Sequence, residues 1–263
     1  MMHLPVPNIC IWCHRKPPEI TFNLNHVLPE CVGNKNQQTL PPGIVCSSCN
    51  SYFGTKVEPV LLDDPFFHVI AVVLSLVDPD DMNVFRDTLF DAPHQPVKPA
   101  QRNLKLSAHI IANKISLDVS YKIQGEISRK YTPRRLKFLS RAVHKIAFES
   151  LAWEIYVKGI KNLPDPFSSE FEPTRLWARE GHPHSFARPV LRRMGKEIST
   201  EWETRFWKFK NDIGAEISLF GDWYGVSLSS PHSETLSYLR RRVGSQTEGV
   251  WYITDEFTKL EHE

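Results

Sequence analysis

Apolar and polar residues alternate with a period of two in two parts of the chain. Leu104, Leu106, Ala108 and Ile110, followed by Ile115, Leu117, Val119, Tyr121 and Ile123, put every second side chain on one face, which predicts two strands joined by a turn near Asn113. Ile213, Ala215, Ile217 and Leu219, then Tyr224, Val226 and Leu228, repeat the pattern around Phe220-Gly221-Asp222-Trp223 and predict a second hairpin, with one more strand over residues 250–254. Between them the period changes. Leu136, Leu139, Val143, Ile146, Ala147 and Leu151 recur at helical spacing, and Thr132-Pro133 supplies an N-cap and a proline at the first helical position, so a long amphipathic helix is predicted from there to Gly159. A short helix is predicted over residues 174–179. Residues 66–77 form an almost unbroken apolar run between Asp63-Asp64-Pro65 and Asp78-Pro79. It is too short for a bilayer-spanning helix of about 20 residues, and its length does not choose between buried helix and buried strand. The pattern is that of an α+β protein with antiparallel strands.

With 263 residues, 41% of them hydrophobic, the chain can bury a substantial core in one large domain or two modest ones. Its net charge of +2 conceals two opposed blocks. Residues 61–100 hold seven aspartates against Arg86 and Lys98 and close on Pro93, Pro96 and Pro99, the composition of a linker. A boundary is therefore expected between 98 and 99, giving units 1–98 and 99–263. From 101 to 145 eleven lysines and arginines face only Asp118 and Glu126. On the predicted helix Arg134, Lys137, Arg141 and Lys145 are spaced by three, four and four residues and share a face. Such a face is ordinarily the solvated side of an amphipathic helix, but the scarcity of interleaved acids also suits it to a polyanion.

The first residues, Met-Met-His-Leu-Pro-Val-Pro, lack the basic start and apolar core of an export signal, and no stretch approaches a membrane span. A cytoplasmic protein with no membrane partner is expected. There is no Gly-x-x-x-x-Gly-Lys phosphate loop, nucleophile elbow, helical His-Glu-x-x-His or fixed-period repeat. His182 and His184 flank Pro183 in a spacing that suits a turn better than a metal site, and the aromatic residues of the C-terminal part, Trp202, Phe206, Trp207, Phe209, Trp223, Tyr224, Trp251 and Tyr252, are expected mostly in the core.

Four of the five cysteines form two matched pairs, Cys10-x-x-Cys13 and Cys46-x-x-Cys49. Two residues between thiolates let a tight turn aim both sulfurs at one tetrahedral ion, and the second pair closes a four-sulfur zinc site. A redox dithiol or two disulfides would not account for two matching pairs, and Cys10 lies in a proline-rich N-terminus rather than at the start of a βαβ helix. Cys31 is left as a single, at least partly buried thiol. A filled tetrahedron of four thiolates has no open position for substrate, so any chemistry must come from residues around it.

Between the pairs the chain reads Asn25-His26-Val27-Leu28-Pro29, and Asn50 follows the last cysteine directly. Over about residues 8–58 this combination resembles the HNH endonuclease family, which implies a small ββα-metal, treble-clef-like zinc domain at the N-terminus and an α+β module behind it. The resemblance implies that His26 is the general base that takes a proton from the attacking water. It also implies that Asn25 and Asn50 hold a catalytic Mg2+ or Mn2+ ion, Asn50 being an accepted variant of the family's final His. Family members usually have Asp, Glu or His at the position of Asn25, so Asn25→Asp is expected to tighten metal binding. Glu58 is either a further ligand or a surface carboxylate. The family's middle Asn, which orients the base, has no firm match; Asn34 and Asn36 lie in the right loop.

The function implied is metal-dependent hydrolysis of phosphodiester bonds in DNA by a restriction or phage-defence effector, with zinc as structural ion. The module at 99–263 would contact DNA through Arg134, Lys137, Arg141 and Lys145, sense an activating ligand or partner protein, or join two copies as a homodimer. It is expected to survive loss of the zinc. The alternative is a non-catalytic zinc finger that binds nucleic acid, with His26 structural.

Overall fold

The structure, a computed structural model, describes residues 5–29, 38–62, 106–111, 114–119, 133–181, 190–193, 202–209, 212–219, 222–229 and 250–252. Of the features singled out above, the apolar run 66–77, the linker, Cys31, Asn34, Asn36, His182 and His184 lie outside the described residues, as does the side chain of Arg134.

The N-terminal unit begins with the first cysteine pair and continues into a minimal antiparallel hairpin, β1 (Asn25–His26) and β2 (Thr39–Leu40), with Asn25 opposite Leu40 and His26 opposite Thr39. Gly43, in the turn leading to the second pair, has φ +107°, and a Cβ there would lie 2.5 Å from Val6 Cγ1, so no other residue fits. Helix α1 (Ser47–Tyr52) is capped by Cys46, whose sulfur accepts the Cys49 N–H at 3.4 Å. It runs on as a π-helical turn over Phe53–Val57, closed by the Glu58 N–H on the Phe53 carbonyl at 2.9 Å, and then as the short helix α2 (Pro59–Leu62).

A hairpin of β3 (Leu106–Ile111) and β4 (Lys114–Val119) forms where alternation predicted it. The long helix α3 (Pro133–Tyr156) follows, then α4 (Glu172–Glu180), which ends on Gly181 at φ +66° with its N–H on the Trp177 carbonyl at 2.9 Å. The remaining strands are β5 (Val190–Arg193), β6 (Glu203–Phe209), β7 (Asp212–Leu219), β8 (Asp222–Ser227) and β9 (Val250–Tyr252). They form one antiparallel sheet in the order β6-β7-β8-β5-β9. β5 and β6 were not foreseen as strands, because charged residues interrupt the apolar alternation in both. The Trp207 indole on β6 lies across Gly214 on β7, where a Cβ would come within 1.8 Å of the ring.

The helix α3 is present, and its middle shows no solvated face. Every residue from Leu139 to Ala152 is buried. One flank packs against β2, α2 and the π-helical turn, another against β6, β7 and β8, and α4 lies along it. Cys10, Ile11, Val27, Leu28, Phe53 and Val57 from the N-terminal unit share a single apolar cluster with Val143, Ile146 and Phe148 of α3 and with Ile217 and Val226 of the sheet. Contacts therefore cross the boundary expected between 98 and 99. Among the described residues no helix is long and apolar enough to cross a membrane.

Candidate functional site

The sulfurs of Cys10, Cys13, Cys46 and Cys49 all lie within 4.8 Å of one another, and none is in a disulfide. Cys13 Sγ and Cys46 Sγ are 3.8 Å apart. This is far beyond the roughly 2.05 Å of a disulfide, and it matches the edge of about 3.8 Å that a tetrahedron of sulfurs has around zinc at about 2.3 Å. Backbone N–H groups are already aimed at the sulfurs, that of Cys46 at Cys10 Sγ and that of Cys49 at Cys46 Sγ, both at 3.4 Å. As bare thiols the cluster is frustrated. Hydrogen bonds from Cys10 and Cys49 hold Cys46 far below the ordinary thiol range, while the contact with Cys46 pushes Cys10 up to about 12, and the contacts with Cys10 and Cys46 raise Cys49. Four sulfurs this close can all be thiolates only around a cation, and the donor set fits zinc.

Behind the cluster lies a buried polar network that links the N-terminal unit to α3. The Trp12 indole, between the first two cysteines, packs against Phe53 and Phe148 at centroid distances of 4.6 and 5.1 Å and donates its N–H to Glu149 Oε1 at 2.9 Å. Glu149 Oε2 accepts from Asn25 Nδ2 at 2.7 Å and from the Lys145 ammonium at 2.9 Å. Lys145 also reaches Glu58 Oε1 at 2.6 Å and the backbone carbonyls of His26 and Val27 at 2.9 and 3.1 Å. Burial works against the Lys145 ammonium, but Glu149 and Glu58 more than offset it and hold its pKa above the ordinary lysine value. Burial raises the Glu149 carboxyl, opposed by Lys145 and the Trp12 N–H.

This network fixes the site residues one by one. Asn25 is fully buried, and its amide orientation is set by chemistry, since only the NH2 end can face a carboxylate. Its Oδ1 is left buried without a hydrogen-bond partner, an orphaned acceptor of the kind a cation or an ordered water satisfies. Asn50 is half-buried and donates from Nδ2 to the Leu24 carbonyl at 3.2 Å and to Asn23 Oδ1 at 3.3 Å, so it leans on the approach to β1. Both amides thus direct their N–H groups at protein and leave oxygen as the atom able to meet a metal. His26, next along β1, is half-buried. Glu58 is neither a solvated surface carboxylate nor a free ligand: at 12% side-chain exposure it is paired with Lys145.

Among the described residues the basic face expected on α3 is not a solvated one. Lys145 and Arg141 are 1% and 4% exposed. The Arg141 guanidinium donates to the carbonyls of Ala178 and Arg179 at the end of α4, at 3.0 and 2.7 Å, and to the Tyr52 hydroxyl at 2.6 Å, and it stacks 4.9 Å from the Phe138 ring. It joins α1, α3 and α4, and at this depth it serves the protein interior rather than a solvated surface. Lys137 is half-buried, with its ammonium 5.9 Å from the Trp177 ring. Arg141→Met should therefore act on stability, by about 2–4 kcal/mol in a denaturant titration, because three acceptors lose a charged donor inside the protein. Unchanged stability with lost DNA affinity would restore the interface expected from the sequence.

Glu149 and Trp12 were missed as site residues, and Lys145 was given the wrong partner. A signal was present: Lys145 and Glu149 are one helical turn apart, with apolar Ala142, Ile146, Phe148 and Ala152 close by on the helix, which suits a buried pair better than a solvated one. No curated protein and no solved structure matches the chain. Residues 10–66, the stretch that carries both cysteine pairs, Asn25, His26, Asn50 and Glu58, match the model of the HNH endonuclease family.

Proposed function

We propose that the chain is a metal-dependent endonuclease that hydrolyses phosphodiester bonds in DNA, the substrate that an HNH domain implies. The observation that carries this reading is the anchoring of Asn50 to the strand before His26, through the Leu24 carbonyl. It draws the residue after the last cysteine toward the two residues of β1. In this reading the four cysteines hold structural zinc, and Asn25 Oδ1 and Asn50 Oδ1 hold Mg2+ or Mn2+. Such an ion supplies Lewis-acid stabilisation of the leaving oxygen. His26 removes the proton from the attacking water. In this reading the N-terminal unit is a ββα-metal domain, a reading supported by the hairpin β1–β2, the helix α1 and the cluster of four sulfurs. The biological setting we assign, by analogy with free-standing HNH proteins that carry an appended module, is restriction or phage defence in the cytoplasm.

The complete burial of Asn25 favours a second reading, a non-catalytic zinc finger that binds nucleic acid. One gel separates the two. Purified protein incubated with supercoiled plasmid and Mg2+ or Mn2+ should nick it, chelator should stop the reaction, and His26→Ala should slow it on the order of a hundredfold with zinc content and melting unchanged. No metal-dependent cleavage by the wild type, or full cleavage by the variant, would remove the enzymatic reading or His26 from it.

A further inference from the structure

We infer that Lys145, with Glu149 behind it, is a positioning residue for His26, supplied from α3 and far outside the motif. This inference rests on the nuclease reading for its consequence, but its geometry stands independently. In a regular strand successive carbonyls point to opposite sides, so two neighbouring carbonyls cannot both reach one donor unless the backbone turns. The carbonyls of His26 and Val27 do converge on the Lys145 ammonium, and β1 ends at His26. Lys145 therefore holds the bend by which the strand leaves His26, and that bend determines where the imidazole is carried.

The ammonium is itself held firmly. It has three N–H groups for four acceptors, the two carbonyls, Glu58 and Glu149, and it is 1% exposed. Glu149 in turn holds Asn25 through Nδ2. One Lys–Glu pair on one turn of α3 thus fixes both the backbone at His26 and the amide of the preceding residue. A salt bridge that served stability alone would not need to engage two successive peptide groups, those of the His26 and Val27 carbonyls.

The test is made on the full-length, zinc-loaded protein. Lys145→Met keeps the length and removes the donors. Since it strands two carboxylates, Lys145→Met is also made with Glu58→Gln and Glu149→Gln, which leaves the site neutral. Expected for whichever variant folds with zinc bound is a fall in kcat on the order of a hundredfold, as for an ångström-scale misplacement of a reacting group. KM should change little, and the His26 ring signals should move in a 1H–13C NMR spectrum recorded without Mg2+ or Mn2+. Ring signals and kcat that match the wild type in a folded variant overturn the inference, and so does failure of both variants to fold, which would make the network a support of the fold alone. If the wild type cuts no DNA while the ring signals still move in the variants, the nuclease reading fails and the positioning role stands.

Discussion

Cys46→Ser should abolish zinc binding and unfold far more of the protein than the cysteine-bearing segment. Binding of structural zinc is worth about 10–16 kcal/mol in small zinc units, against a total stability of about 5–15 kcal/mol for a typical domain. Cys46 is a cluster sulfur and also the cap of α1, so its loss removes both. From sequence alone, the module after Pro99 was expected to survive. The structure argues for the reverse, because the side of α3 that carries Phe148 is covered by Trp12, on which Phe53 packs in turn. Without that cover Lys145 and Glu149 would also lose Glu58, Asn25 and Trp12 as partners. Elemental analysis should find one zinc per wild-type chain under reducing conditions and none in the variant, and circular dichroism should show loss of long-helix signal as well. A variant that loses zinc yet keeps α3 intact would show that the helix is held by the sheet alone; a wild type without zinc would remove the four-cysteine assignment.

Asn25→Asp should destabilise the protein by about 3–5 kcal/mol, a fall in melting temperature of roughly 10 °C. The family resemblance argues the opposite, that an acid here would improve the metal site. The difference lies in Glu149, whose Oε2 is 2.7 Å from Asn25 Nδ2. An aspartate would replace a donor by a second buried carboxylate, and two carboxylates at this distance cannot both ionise without large cost. The neutral amide is thus what the neighbour demands, and the acid expected at this position stands one hydrogen bond away on α3. Exchanging the pair tests this directly. In Asn25→Asp with Glu149→Gln the donor and acceptor swap ends, while Lys145 keeps Glu58 and the two carbonyls. Most of the lost stability should return. If the single variant melts with the wild type, or the exchange is no better than the single change, the Asn25–Glu149 bond does not hold the site.

What could be read from the chain alone is what short-range pattern encodes. The cysteine pairs, the β3–β4 hairpin, the helix that begins at Pro133 and the β7–β8 hairpin all rest on residues close together in the chain. The functional reading of Lys145 failed because its partners lie 118 and 119 residues away, at Val27 and His26, and helical spacing says which residues share a face but not what that face meets. A basic stripe and a buried network look alike in a sequence until the covering surface is known. Asn25 was recognised as the odd residue of the motif, yet its cause, Glu149, is 124 positions further on.

The π-helical turn at Phe53–Val57 gives the chain a rotational phase. It holds one residue more per turn than the α-helix before it, so everything beyond is rotated by about 100° relative to an uninterrupted helix. That rotation brings Glu58 to Lys145 while Cys49 stays at the sulfur cluster. Deleting a single residue there, such as exposed Thr55, would let the helix run through unbroken and turn the Glu58 carboxylate away from the ammonium. The length of this segment, more than the identity of its exposed residues, thus sets how the metal-holding end of the helix is timed to the end that faces α3.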